Sequence, residues 1–249
     1  MEIIYHPSPN FGERAEGLKP EIIVLHSTGL KRKTTESVLW SLSNPENEVS
    51  VHYMIALDGL IYQMVNEEDN AWHAGGSRWK DLGSMNSRSI GIEFHNYKSR
   101  DYTEKQIISG KWLCHDIMQR HNIPAKNVLA HSDISPHRKE DPGDHFPWQE
   151  LANEGIGVWP EPSVKDAFNA AAVAKDKKAV KELLEEVGYH LDGFRQIAHG
   201  PIKTSFNKVV KAFQLRFEPE VFEAKSSTKP GVATETTVAR LRALIRMGM

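Results

Sequence analysis

The stretch Glu21-Ile22-Ile23-Val24-Leu25-His26-Ser27-Thr28-Gly29 decides the fold class. Its short apolar run, rich in β-branched residues, breaks off at His26-Ser27-Thr28-Gly29 and reads as a central buried strand. Open α/β sheets place ligands at the carboxyl ends of such strands, which makes His26 a candidate, although a lone histidine there more often serves the structure.

Working outward, Thr34 to Leu42 offers a short helix with Val38, Leu39 and Leu42 on one side. Val49, Val51, Tyr53, Ile55 and Leu57 then alternate with Ser50, His52, Met54 and Ala56, the period of a strand. Asp58-Gly59 is a hairpin signal, and LIYQMV returns as the antiparallel partner. The Gly-rich segment NAWHAGGSRW carries Trp72, His73 and Trp79, a platform for a sugar or peptide or equally an anchor for the loop's own packing. Ser89 to Phe94, SIGIEF, is another apolar strand with one intrusive charge, Glu93, costly unless it is paired or used.

Thr103 opens a helix with Gln106 placed for a capping box, and Ile107, Ile108, Trp112, Leu113, Ile117 and Met118 form its apolar face. Asn127 to Ala130 is a last short strand that delivers the chain into Ala130 to Trp148, AHSDISPHRKEDPGDHFPW. Pro136, Pro142 and Pro147 predict that this segment is a loop, and its imidazoles and carboxylates make it a candidate active-site loop. The competing reading is a solvated charged turn.

Composition narrows the options. Hydrophobic residues make 39% of the 249-residue chain and charged residues 26%, an ordinary globular balance. With 31 basic and 33 acidic residues there is no overall field to hold a polyanion, which argues against nucleic acid as the main ligand. The single cysteine, Cys114, rules out an intramolecular disulfide and a thiolate zinc cluster, so any metal must be held by histidine and carboxylate. No run approaches the ~20 apolar residues of a membrane span and no signal-peptide pattern is visible, so a soluble, cytoplasmic protein is expected.

Beyond Trp159, WPEPSVKD reads as a linker. Asp176 to Val187, Ser205 to Phe217 and a helix capped by Thr234 each carry an apolar face. Three such helices can close one small core. The expected architecture is therefore α/β, a mixed central β-sheet flanked by helices over residues 1–160, with a second, small three-helix domain over residues 164–249.

His26, Glu93 and His131 lie far apart in sequence, yet central strands of one sheet would bring their carboxyl ends together. Two imidazoles and a carboxylate with an open fourth position make a hydrolytic zinc site. The third ligand must come from the loop, where Asp133, Asp141, Asp144 and His137 are all chemically possible. Glu93 would act as general base, and Lys139 or Arg138 would steady an oxyanion; a surface ion-pair cluster is the alternative.

The segments IIVLHSTG, VSVHYMIALDG, AWHAG, SIGIEFHN and LAHSDISPHRKEDPGDHFPW, in this order and spacing, resemble the zinc-dependent N-acetylmuramoyl-L-alanine amidase type 2 family, which includes peptidoglycan recognition proteins. The likeness covers about Glu21 to Pro160 and is greatest to the branch that trims anhydro-muropeptides. The C-terminal unit, with ELLEEVGY and KAFQLRF, is similar to the three-helix peptidoglycan-binding domain attached to some of these enzymes. The resemblance implies Zn2+ held by His26, His131 and Asp141, with Glu93 catalytic, Lys139 facing the scissile carbonyl, and His52, Trp72 and His73 as substrate contacts. The implied reaction is hydrolysis of the amide between N-acetylmuramic acid, or its 1,6-anhydro form, and L-alanine of the stem peptide, in peptidoglycan or soluble muropeptides.

Val51 stands where some members carry a tyrosine, which argues against a tyrosine-assisted variant of the mechanism. A non-catalytic peptidoglycan recognition module is the alternative. Such modules commonly lose a metal ligand, whereas all three are present here beside Glu93. A metal-dependent nuclease is disfavoured by the lack of a basic surface. The C-terminal unit raises periplasmic or cell-wall association as the alternative to the cytoplasm.

Overall fold

Alternation along the central strand organises the layers: Ile23 and Leu25 enter one hydrophobic cluster, Ile22 and Val24 another. The computed structural model describes residues 1–29, 34–97, 100–191, 195–196, 200–201 and 204–249. Along the chain run β1 (Ile3–Tyr5), β2 (Phe11–Glu13), β3 (Ile22–Ser27), α1 (Thr35–Ser43), β4 (Tyr53–Ile55), β5 (Ile61–Gln63) and β6 (Asp69–Ala71). Then come α2 (Met85–Arg88), β7 (Ser89–Phe94), α3 (Glu104–His121), β8 (Val128–Ala130), α4 (His131–Ile134) and α5 (Trp148–Asn153). The C-terminal unit holds α6 (Val164–Ala167), α7 (Ala170–Val173), α8 (Lys177–Val187), β9 (Arg195–Gln196), β10 (Gly200–Pro201), α9 (Phe206–Phe217) and α10 (Glu235–Arg246).

The main sheet has the order β1-β5-β4-β7-β3-β8. It is mixed, as expected: β4, β7, β3 and β8 are mutually parallel, and β5 runs antiparallel to β4 through the Asp58-Gly59 turn. Strand β4 is shorter than the alternation from Val49 predicts. The reason is local: the His52 carbonyl accepts the amides of both Met64 and Val65, which interrupts the regular ladder with the β5 side, and the Ser50 amide turns to the Trp72 carbonyl. Strands β1, β2 and β6 carry no apolar run long enough to signal them.

The helix starts follow their caps. Thr103 and Gln106 form the capping box of α3, and Thr34, Asp176, Ser205 and Thr234 cap α1, α8, α9 and α10 through their side chains. Two expectations are corrected. The stretch predicted as loop from Ala130 begins with one helical turn, α4, because the Asp133 carboxylate accepts the Ala130 amide 2.9 Å away and closes the turn before Pro136 is reached. The predicted linker contains the start of α6, capped by Ser163.

Helix α3 covers the face that carries Ile23, Leu25 and Ile92, with Leu113, Cys114 and Ile117 pressed into it. Burial pushes the Cys114 thiol up to about 12, which makes it an inert packing residue. On the opposite face, Ile22, Val24, Leu129 and Ile134 share one cluster with Val180, Leu184, Phe213 and Leu241 of the C-terminal helices. Those helices do not seal a core of their own. They close over the sheet, because Ile22, Val24 and Leu129 make part of its second face apolar and that part has to be covered.

One buried acid makes the C-terminal unit sensitive to pH. Burial raises the Glu218 carboxyl to about 7, against hydrogen bonds from Thr237 and the pull of Arg240. The folded state thus keeps this proton where the unfolded chain, near 4.5, has lost it. Its contribution to stability is intact below about 4.5 and is lost as pH rises towards 7, at most about 3 kcal/mol. Glu218→Gln is expected to melt several degrees above wild type at pH 8 and level with it at pH 4.5. Equal melting at both pH values would show that the proton is not held.

Candidate metal centre and active site

Register brings the site together before any side chain is considered. In the parallel sheet His26 of β3 lies opposite Glu93 of β7, and Leu25 lies opposite Ala130 of β8. Residues in register on neighbouring strands share a face, so His26 and Glu93 project together from the carboxyl ends of β3 and β7. The turn of α4 begins directly after β8 and sets His131 beside them.

Three donor atoms meet there. His26 Nδ1 lies 2.8 Å from His131 Nδ1, His131 Nδ1 lies 3.0 Å from Asp141 Oδ2, and His26 Nδ1 lies 3.4 Å from the same oxygen. Both histidines are buried, each 2% exposed. The loop that carries Asp141 is held in place by the Ser132 amide, which donates to the Asp141 carbonyl at 2.9 Å, and by the Tyr102 hydroxyl, which donates to the Pro142 carbonyl at 2.7 Å.

The hydrogen bonds behind His26 fix its tautomer. Ser89 Oγ donates to the Met85 carbonyl at 2.5 Å, so it accepts from His73 Nε2 at 3.3 Å. Neutral His73 is then bare at Nδ1 and accepts from His26 Nε2 at 2.9 Å. That leaves the His26 Nδ1 lone pair aimed at His131 and Asp141. Two imidazole nitrogens and a carboxylate oxygen that converge at such distances suit a divalent metal of the zinc type. These three residues can hold a metal ion.

Electrostatics agree with that reading. Burial and the neighbouring His131 lower His26 to about 4, so it is a neutral ligand at physiological pH. Burial alone would raise the Asp141 carboxyl, but the imidazoles beside it, His131 above all, carry it well below the usual carboxylate range. Glu93 goes the other way: burial and the Asp141 charge raise it to about 8, against the pull of Lys139. Two carboxyl groups pushed apart in one site are the pattern of an anion that binds and an acid that exchanges protons.

A cavity of about 210 Å³ opens over these atoms, lined by His26, Glu93, His131, Lys139, Asp141 and Trp72 among others. It meets a larger one of about 450 Å³ at Ser27, Thr28, Lys139 and Asp141, whose far wall includes Lys208 and Lys211 of α9. Lys139 and Trp72 both line the smaller cavity. Arg138 lines only the larger cavity, and its Nη2 donates to the Ala74 carbonyl at 2.5 Å and ties the loop to the Gly-rich segment, so Lys139 is the loop cation in the wall of the smaller one.

Of the two other candidate contacts, His52 is corrected by its burial. His52 is 0% exposed; its Nδ1 accepts the Gly91 amide, and its Nε2 lies 3.1 Å from Arg14 and 3.2 Å from the Asp69 carbonyl. It has no surface for a substrate to touch. His73 borders the cavity, but its ring nitrogens are engaged by His26 and Ser89, so it orients a site histidine instead of reaching outward. Sequence offered no signal for this, because Ser89 reads there as an ordinary strand residue. The arrangement also depends on Gly91, where a Cβ would meet the His73 ring at 2.6 Å. Gly91→Ala is expected to cost about 1–3 kcal/mol and to weaken metal binding, measurable by melting and by zinc titration.

This is the arrangement of the hydrolytic metal centres, two histidines and a carboxylate beside a proton-exchanging acid in an open cavity. A family model described as N-acetylmuramoyl-L-alanine amidase matches residues 16–144, a span that includes all five of His26, Glu93, His131, Lys139 and Asp141. The chain is 31% identical over 239 residues to N-acetylmuramoyl-L-alanine amidase AmiD of Escherichia coli, covering 88% of this chain and 83% of that protein. The solved complex of Escherichia coli AmiD with anhydro-N-acetylmuramic acid-L-Ala-D-gamma-Glu-L-Lys superposes with a TM-score of 0.75 at 31% identity, over 94% of this chain and 93% of that one. Crystalline AmpDH3 of Pseudomonas aeruginosa gives a TM-score of 0.75 at 30% identity, over 98% and 96% of the two chains. The chain belongs to the N-acetylmuramoyl-L-alanine amidase family, and it is an amide hydrolase. Among the described residues no helix is long and apolar enough to cross a membrane.

Proposed function

We propose that this enzyme cleaves the amide between N-acetylmuramic acid, including its 1,6-anhydro form, and L-alanine of the stem peptide, and that it does so with Zn2+ held by His26, His131 and Asp141. The observation that carries this reading is the meeting of three metal-type donors with Glu93 on one face of the sheet. When bound, zinc supplies Lewis acidity, polarising a carbonyl and bringing the pKa of a water to about 7. Glu93 takes the proton from the attacking water and returns it to the departing amine, a role that suits its raised pKa. Lys139 holds the scissile carbonyl oxygen from the side on which the two cavities meet. His73 keeps the His26 lone pair turned towards the site.

The two adjoining cavities give room on both sides of the scissile bond, one for the muramyl group and one for the peptide. The substrate in the Escherichia coli AmiD complex, anhydro-N-acetylmuramic acid-L-Ala-D-gamma-Glu-L-Lys, joins such a group to such a peptide. The C-terminal helical unit is proposed to act as a peptidoglycan-binding unit that extends the same cleft, through Lys208, Lys211, Ala212 and Leu215 along its edge.

The experiment is to incubate zinc-loaded protein with soluble anhydro-muropeptides and, separately, with purified sacculi, and to detect free L-alanyl peptide by mass spectrometry. Release from either supports the amidase, and the ratio of the two rates assigns the preferred substrate. Retention on sacculi with no release from either would make the protein a recognition module.

A further inference from the structure

Helix α9 runs along the loop that carries the site, and it makes contacts at both ends. Near its start, Lys208 Nζ donates to the His137 carbonyl at 2.5 Å, and one turn later Lys211 pairs with Glu140 at 2.5 Å. Near its end Arg216 pairs with Asp133, and both side chains are 0% exposed. Arg216 Nη2 also donates to the Val128 carbonyl at 3.0 Å, and the guanidinium stacks 4.3 Å from the Trp148 ring and 4.7 Å from the Phe217 ring. The Tyr189 hydroxyl, also from the C-terminal unit, donates to the other Asp133 oxygen at 2.5 Å.

Asp133 is the pivot of the turn that presents His131. Its carboxylate accepts the amide of Ala130, the residue directly before His131. The next amide but one, that of Ser132, donates to the Asp141 carbonyl. One four-residue turn therefore sets both His131 and Asp141, and that turn is gripped by two residues from the C-terminal unit. Packing alone has no need for this. A fully buried ion pair is a weak source of stability, since apolar residues of the same volume often do as well, but its directional bonds define a position.

We propose that Arg216 and Tyr189 are positioning residues for the metal centre: through Asp133 they hold α4 so that His131 and Asp141 face His26, and the C-terminal unit is in this sense part of the catalytic machinery. The proposal rests on the amidase reading for its kinetic consequence and on the donor geometry alone for its metal-binding consequence. Neither residue touches substrate, so the clamp acts on metal affinity and turnover and leaves KM alone.

The test uses the full-length protein. Arg216→Met alone strands a buried carboxylate and is expected to unfold the chain, so it is combined with Asp133→Asn, which removes both charges at once. The double variant is expected to melt within a few degrees of wild type, yet to bind zinc at least 10-fold more weakly in chelator competition, the scale of lost outer-shell contacts. Its kcat on soluble muropeptide is expected to fall similarly, with KM within twofold. Tyr189→Phe, which leaves the charges balanced, is expected to weaken zinc binding in the same direction by a smaller factor, and it decides the matter if the double variant does not fold. A folded variant whose zinc dissociation constant and kcat both stay within twofold of wild type would overturn the proposal. If wild type binds zinc but cleaves nothing, the amidase reading fails while zinc affinity still judges the clamp.

Discussion

Glu93→Ala is expected to lower turnover by about 10²- to 10⁴-fold while the protein still binds one zinc per chain. The two readouts separate because Glu93 is not among the three converging donors. It stands opposite His26 in the sheet register, close enough to Asp141 for that charge to raise its pKa and to Lys139 for that cation to oppose the rise. Removing it leaves the His26, His131 and Asp141 distances unaltered and takes away the group that moves the proton. The change also removes a buried ionisable group, so melting is expected to hold or rise slightly. Zinc stoichiometry by metal analysis, together with single-turnover cleavage of a muropeptide, checks both halves. Near-native turnover would assign the proton transfer elsewhere.

Asp141→Ala is expected to have the opposite signature: zinc affinity falls by more than the 10- to 100-fold typical of outer-shell losses, and activity falls with it. Asp141 supplies the one carboxylate among the three donors, and without it two imidazoles remain to hold a dication. The loop itself should stay in place. Its anchors at this point are the Ser132 amide on the Asp141 carbonyl and the Tyr102 hydroxyl on the Pro142 carbonyl, neither of which uses the lost side chain. Melting of the metal-free variant near that of metal-free wild type, with the zinc-induced rise in melting gone, is the expected pattern. A variant that retained tight zinc would mean that another donor completes the set.

The buried contacts bear on how such sites are built. His73 reads in sequence as an aromatic on a flexible loop, yet Gly91 leaves room for its ring against the sheet, and Ser89 gives it a fixed proton direction. Specificity at His26 is thus set two residues deep, by a serine whose single proton is committed to the Met85 carbonyl. Asp133 likewise reads as one more loop carboxylate. Its partners, Tyr189 and Arg216, lie 56 and 83 residues away.

By itself the sequence determined the strands and caps whose signals are local: the apolar runs ending in His26 and Glu93, the Asp58-Gly59 turn, and the Thr103 capping box. It also determined the family, because ordered motifs carry that information without any knowledge of packing. Hydrophobic periodicity and capping depend on residues a few positions apart, so they survive as text. The tertiary structure alone decided what depends on distant residues meeting. It turned the start of a proline-rich loop into a helical turn, buried His52 away from the cavity, tied the His73 ring to His26 and Ser89, and laid the C-terminal helices over the second face of the sheet, with Arg216 buried against Asp133. The physical reason is common to all three: a side chain's role follows from what surrounds it once solvent is excluded, and that environment is assembled from parts of the chain that share no local pattern.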